Sequence, residues 1–143
     1  MTKEEFLKIV EEEGNYYEWI QNGIKCTIER SPLNLHWNGY IFLEEIHYFY
    51  KNVYEDLLNI NVHGGITYSD INEDGLYKIG FDCNHSYDIG LISFEMGIEY
   101  FIINAVYRTK DFAYEQTNKM CDQLCRIKPK YIRDDKLKDI LLN

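Results

Sequence analysis

The chain has 143 residues, a formal net charge of −9 and a hydrophobic fraction of 45%, the size and balance of one globular α+β domain spanning residues 1–143. An acidic chain lacks the basic footprint that neutralises phosphates, so duplex nucleic acid is not an expected partner and anionic membrane surfaces are disfavoured. No apolar run approaches the ~18 residues that span a bilayer.

The opening Met1-Thr2-Lys3-Glu4-Glu5 is charged and helical in pattern, so no secretory leader is expected. Cys26, Cys83, Cys121 and Cys125 are therefore expected to be reduced thiols of a cytoplasmic protein.

Thr2 followed by Glu5 predicts a capping box, and Phe6, Ile9 and Val10 then recur at helical spacing as far as Gly14. Tyr16, Tyr17, Trp19 and Ile20 suggest one more helical turn after that break. Ile24, Cys26 and Ile28 alternate with Lys25, Thr27 and Glu29, the period of a half-buried strand. Ser31-Pro32 with Asn34 marks a turn, and His36 to Leu43 reads as a second strand antiparallel to the first. From Glu44 to Asn61 the pattern fits a helix and a long aromatic loop equally well.

Gly64-Gly65 is a break, with Ile66-Thr67-Tyr68 a short strand after it. Asn72-Glu73-Asp74-Gly75 carries hairpin-turn chemistry, and Leu76 to Asp82 is the returning strand. Phe94 to Val106 suggests further strand. Asp111 is the expected cap of a helix whose core face is Ala113, Thr117, Met120, Cys121, Leu124 and Ile127. Pro129 stops that helix, and Asp134-Asp135 opens a short last one through Leu141. The sum is an antiparallel sheet packed by an N-terminal and a C-terminal helix.

Chemistry concentrates in two stretches. In His63-Gly64-Gly65 the glycines let backbone N–H groups approach a ligand, and the histidine can act as base, metal ligand or donor; a tight turn anchored by His63 is the competing reading. In Asp82-Cys83-Asn84-His85, Asp82 ends a strand and His85 follows three residues on. Asp82 with two histidines is a donor set for a divalent metal, or Asp82 orients a histidine base, or it caps the loop. No HExxH spacing supports a particular metal, so no metal and no cofactor is expected. Cys83 reads as a small buried residue, and Cys121 and Cys125, one helical turn apart, as core. The 13 tyrosines, many between Trp37 and Tyr54, suit either base stacking or a protein interface.

His47 in an aromatic stretch, then Asn61-Val62-His63-Gly64-Gly65-Ile66-Thr67-Tyr68, then Ile79-Gly80-Phe81-Asp82-Cys83-Asn84-His85, then a closing helix: in this order the chain resembles a family of small phage-encoded proteins. Members carry VHGGLTY and GFDCAHxGD segments and a closing helix with a Thr-x-x-Leu-like face, here near Thr117. The likeness spans residues 24–127, with Asn84-His85-Ser86-Tyr87-Asp88 standing where the family places Ala-His and Gly-Asp. The resemblance implies an accessory protein in the host cytoplasm that blunts host immunity, as some such proteins do by sequestering nucleotide second messengers.

The leading expectation is thus a homo-oligomeric module binding a small nucleotide-like ligand. His63, Gly64 and Gly65 would hold a phosphate or ribose, Thr67 would add a hydroxyl, Asp82 and His85 polar contacts, and Trp37, Tyr50 or Tyr68 a stacking ring. A metal-assisted or His-dependent nucleotide hydrolase is the first alternative, and an inhibitor that docks on a host protein is the second.

Overall fold

The computed structural model describes residues 1–45, 57, 59–97 and 104–126. Tyr50, His47, the stretch 98–103 and the expected last helix lie outside the described residues. Helix α1 (Lys3–Glu13) starts where the Thr2 hydroxyl accepts the Glu5 N–H at 3.1 Å and ends at Gly14, whose φ of 81° an L side chain resists. Five strands follow as one antiparallel sheet: β1 (Tyr16–Gln21), β2 (Ile24–Arg30), β3 (Trp37–Leu43), β4 (Tyr68–Ile71) and β5 (Tyr77–Asp82), in the order β1-β2-β3-β5-β4. A short helix α2 (Leu91–Glu95) and the long α3 (Lys110–Arg126) complete the described elements.

The expected β2–β3 and β4–β5 pairs are present, and the α+β class holds. Tyr16, Tyr17, Trp19 and Ile20 form strand β1 rather than a helical turn, because Asn22 and Gly23, both at positive φ, turn the chain into β2. Phe94 lies in α2, not in a strand. The cap of α3 is Thr109, whose hydroxyl accepts the Phe112 N–H at 3.1 Å, and Asp111 falls inside the first turn. The fourth strand begins at Tyr68, two residues after Ile66.

The main core lies between one sheet face and α3. Cys26, Ile28, Ile41, Ile79 and Phe81 meet Ala113, Met120, Cys121 and Leu124, each large side chain worth about 1.5–3 kcal/mol of burial. Thr117 on the same helix face is buried too, its hydroxyl turned back to the Ala113 carbonyl at 2.7 Å.

A smaller core joins α1 to the segment before α3: Phe6 packs against Phe94 at 5.3 Å and edge-on against Tyr107 at 5.4 Å. Glu13 fastens this unit to the sheet. It accepts from the Tyr107 hydroxyl, from Trp37 Nε1 at 3.3 Å, and from the Lys110 N–H at 2.6 Å, beside the buried Arg30 guanidinium at 3.4 Å.

Candidate functional site

Strand β5 ends beside the start of β3, with Asp82 opposite Asn38. The chain after Asp82 is held there by the Cys83 N–H on the Trp37 carbonyl, at 2.9 Å. It then turns, so that the Asp88 N–H meets the His85 carbonyl at 2.9 Å and Asp88 bridges to Val106. Arg108 is thereby brought alongside.

The opposite wall is the 61–67 loop, clamped by α3. Gln123 bonds both the N–H and the carbonyl of Asn61 at 2.7 Å, and Gln116 Oε1 accepts the His63 N–H at 2.9 Å. Val62 and Ile66, both buried, anchor the loop on either side of the glycines.

These constraints bring His63 and His85 together, ring centroids 5.3 Å apart and edge to face. His63 Nε2 is 2.8 Å from Asp88 Oδ2, which also accepts the His85 N–H at 3.0 Å, while Arg108 Nε donates to Asp88 Oδ1 at 2.8 Å. The Asp88 side chain is 1% exposed. Burial pushes its carboxyl upward, but the bonds from His63, Arg108 and the His85 N–H outweigh burial and hold it below the usual range. An ionised Asp88 only accepts, so the proton of the His63–Asp88 bond sits on Nε2, leaving Nδ1 as the basic nitrogen of a neutral ring.

Asp82 serves His85 instead. Its Oδ1 lies 3.4 Å from His85 Nε2 and accepts the Asn84 N–H at 3.0 Å, while Oδ2 accepts the Thr67 hydroxyl at 2.7 Å. His85 Nε2 is enclosed yet makes no hydrogen bond. The carboxylate that meets both a histidine ring and Arg108 is therefore Asp88, a residue the sequence did not single out. Phe112 floors the site, edge-on to His63 at 5.1 Å and 4.9 Å below the Arg108 guanidinium.

The other expected site residues fall in different places. Gly64 and Gly65 both have positive φ, 69° and 78°, as expected of a tight turn. The Gly65 N–H, however, is spent on the Val62 carbonyl at 2.9 Å, so with the His63 N–H also used the loop offers an anion few amides. Tyr68 is 43% exposed and stands edge-on to Tyr40 at 5.6 Å on the sheet face beside Asp82 and Thr67.

Trp37 is wholly buried, stacked by the Arg30 guanidinium at 4.1 Å with its N–H on Glu13. It is a core residue rather than a surface on which a base can stack.

Cys83 is also buried, and burial followed by the charges of Asp88 and Asp82 pushes its thiol far up, against a nucleophilic role. Cys121 packs into the core beside Cys26, as its helix position predicts, but Cys125, one turn on and also expected in the core, is exposed.

No protein-family model matches the chain, and no curated protein or solved structure does. Among the described residues no helix is long and apolar enough to cross a membrane.

Proposed function

We propose that the protein hydrolyses a phosphate ester of a small nucleotide-like ligand at the His63–His85–Asp88 cluster. The observation that carries this reading is the buried Asp88 holding His63 by Nε2 at 2.8 Å with a second imidazole alongside. A carboxylate that fixes the tautomer and orientation of an imidazole makes its other nitrogen a positioned general base. His63 Nδ1 then takes the proton of an attacking water, His85 serves the leaving oxygen, and Arg108 supplies positive charge beside both. Such positioned acid–base groups contribute about 10²–10⁴-fold in rate.

A second reading, capture of the ligand without turnover, is favoured by the exposed Tyr68 ring next to Thr67 and Asp82, a stacking surface with polar groups at its edge. The Gly-Gly amides contribute less to it than the sequence implies. A phage-type accessory role, as the motifs suggest, accommodates both readings.

The deciding experiment incubates the purified protein with a panel of cyclic oligonucleotides and ADP-ribose derivatives, followed by native mass spectrometry and chromatography of the supernatant. Shortened products whose appearance requires His63 support hydrolysis. An intact ligand retained on the protein establishes capture, and neither product nor adduct leaves docking on a host protein as the remaining function.

A further inference from the structure

One carboxylate oxygen of Asp88 and one ring nitrogen each of His63 and His85 lie within 4.8 Å of one another. Two imidazoles and a carboxylate are the donor set of an open zinc site, and imidazole with carboxylate suits the neighbouring divalent transition metals too. Ligand atoms about 2.0–2.2 Å from zinc stand roughly 3.3 Å from each other. His63 Nε2 and Asp88 Oδ2, at 2.8 Å, are already near that separation with a proton between them.

Three further observations point the same way. His85 Nε2 has lost water to its surroundings and gained no hydrogen bond, and a buried nitrogen left so calls for a partner. The carboxylate ligand is oriented from behind: Arg108 Nε holds Asp88 by Oδ1, leaving Oδ2 to the histidines. Such outer contacts characterise metal ligands. Finally, the cluster holds two aspartates, Asp88 against Arg108 and Asp82 against His85, for one arginine, so it favours a cation over the anion that the glycine loop suggested.

We infer that His63, His85 and Asp88 bind one divalent transition metal ion of the zinc class, with a fourth position open to water or to a phosphate oxygen. Loading puts the ion where the Nε2 proton stood and that proton passes to Nδ1, so His63 ligates as a neutral imidazole and in the loaded protein Nδ1 no longer serves as a base. Loading also turns the net charge of the cluster positive, which suits a nucleotide phosphate. The site stands on the geometry of the cluster and does not require that the ligand be hydrolysed.

The test is calorimetric titration of the chelator-stripped protein with Zn²⁺ and, separately, Co²⁺, with no nucleotide present. One ion per chain with a dissociation constant in the micromolar range or tighter is expected. His85→Gln, at a half-exposed position, and Asp88→Asn should each weaken it at least 100-fold while keeping the far-UV circular dichroism of the parent. Cys125→Ser is the control for thiol binding and should change nothing.

No binding by the parent protein, undiminished binding by His85→Gln, or loss in Cys125→Ser would each overturn the site. Metal binding without ligand turnover leaves this site standing and removes the hydrolase. Turnover that survives chelator, with no ion bound, does the reverse.

Discussion

Gly64 lies directly against the His85 imidazole, so close that a Cβ added to Gly64 would overlap Nε2, Cε1 and Cδ2 of that ring. The loop of the first motif and the ring of the second are thus packed as one unit, and Gly64 is where they touch. Its φ of 69° adds a second reason for glycine.

Gly64→Ala is therefore expected to do two things at once. It costs about 1–2 kcal/mol for the left-handed backbone, and it drives His85 off its position. Gly65→Ala carries the same backbone penalty at φ 78° but meets nothing within 4 Å. Denaturant melts should show both variants destabilised, with Gly64→Ala the worse. Only Gly64→Ala should shift the His85 ring resonances, and equal spectra from the two variants would contradict the packing.

His63→Ala should lower turnover of a hydrolysed ligand by about 10²–10⁴-fold. Asp88→Asn should do nearly as much with His63 intact, because an amide oxygen accepts the Nε2 proton weakly and the amide N–H₂ favours the wrong tautomer. Steady-state kinetics that put the loss in kcat rather than KM would mark Asp88 as a positioning residue. A rate unchanged in Asp88→Asn would remove the carboxylate from the mechanism.

His36 gives the expected acid response. Burial holds its imidazole below the ordinary value of 6.5, against weaker contributions from the Trp37 carbonyl, Asp82, Asn38 and Asp88. In the unfolded chain the ring takes up a proton at 6.5 or below; in the folded protein it does so only at lower pH. Its stabilising effect is thus complete above the unfolded value and is lost as pH falls from there through the folded one. Urea melts from pH 7.5 to 5 should show stability declining over that span, and His36→Gln should flatten the decline.

Glu13→Ala should destabilise the protein by about 3–5 kcal/mol. The Arg30 side chain, 1% exposed, would keep its bonds to the Gly14 and Leu35 carbonyls but lose its only described carboxylate partner. Tyr107, whose hydroxyl is pushed up to about 12 by burial and then by Glu13, would lose its acceptor. A drop in denaturant midpoint with unchanged slope is the expected readout.

Much of this fold is legible from local sequence alone. β2 alternates and α3 steps by three and four, while β3 shows by its aromatic, β-rich content and Asp74-Gly75 marks the hairpin turn. β1 escapes because it is an outer strand on which Tyr16, Tyr17, Glu18 and Ile20 are all exposed, so burial imposes no alternation on its sequence.

The candidate site divides similarly. Paired glycines and the Asp82–His85 spacing are local signals, and the two segments that they mark meet in the fold. Asp88 reaches His63 across 25 residues and Arg108 across 20, and Gln116 meets the His63 N–H from 53 residues away. Nothing in composition or spacing announces contacts made by the folding of separate segments. Trp37 was misplaced for the same reason: a tryptophan in a strand carries no mark of which side is covered.

The reach of Glu13 bears on the order in which a growing chain becomes a protein. Its partners Tyr107 and Lys110 are synthesised 94 and 97 residues after it. On a ribosome adding 5–20 residues per second, Arg30 and Trp37 reach the Glu13 carboxylate early, but α1 waits several seconds for Tyr107 and Lys110, with the Phe6 ring short of its Phe94 and Tyr107 partners. A nascent chain arrested before residue 107 should hold its N-terminal helix undocked and open to protease, and release should convert it in one late step. The first helix to be made is locked only when the chain reaches the start of α3.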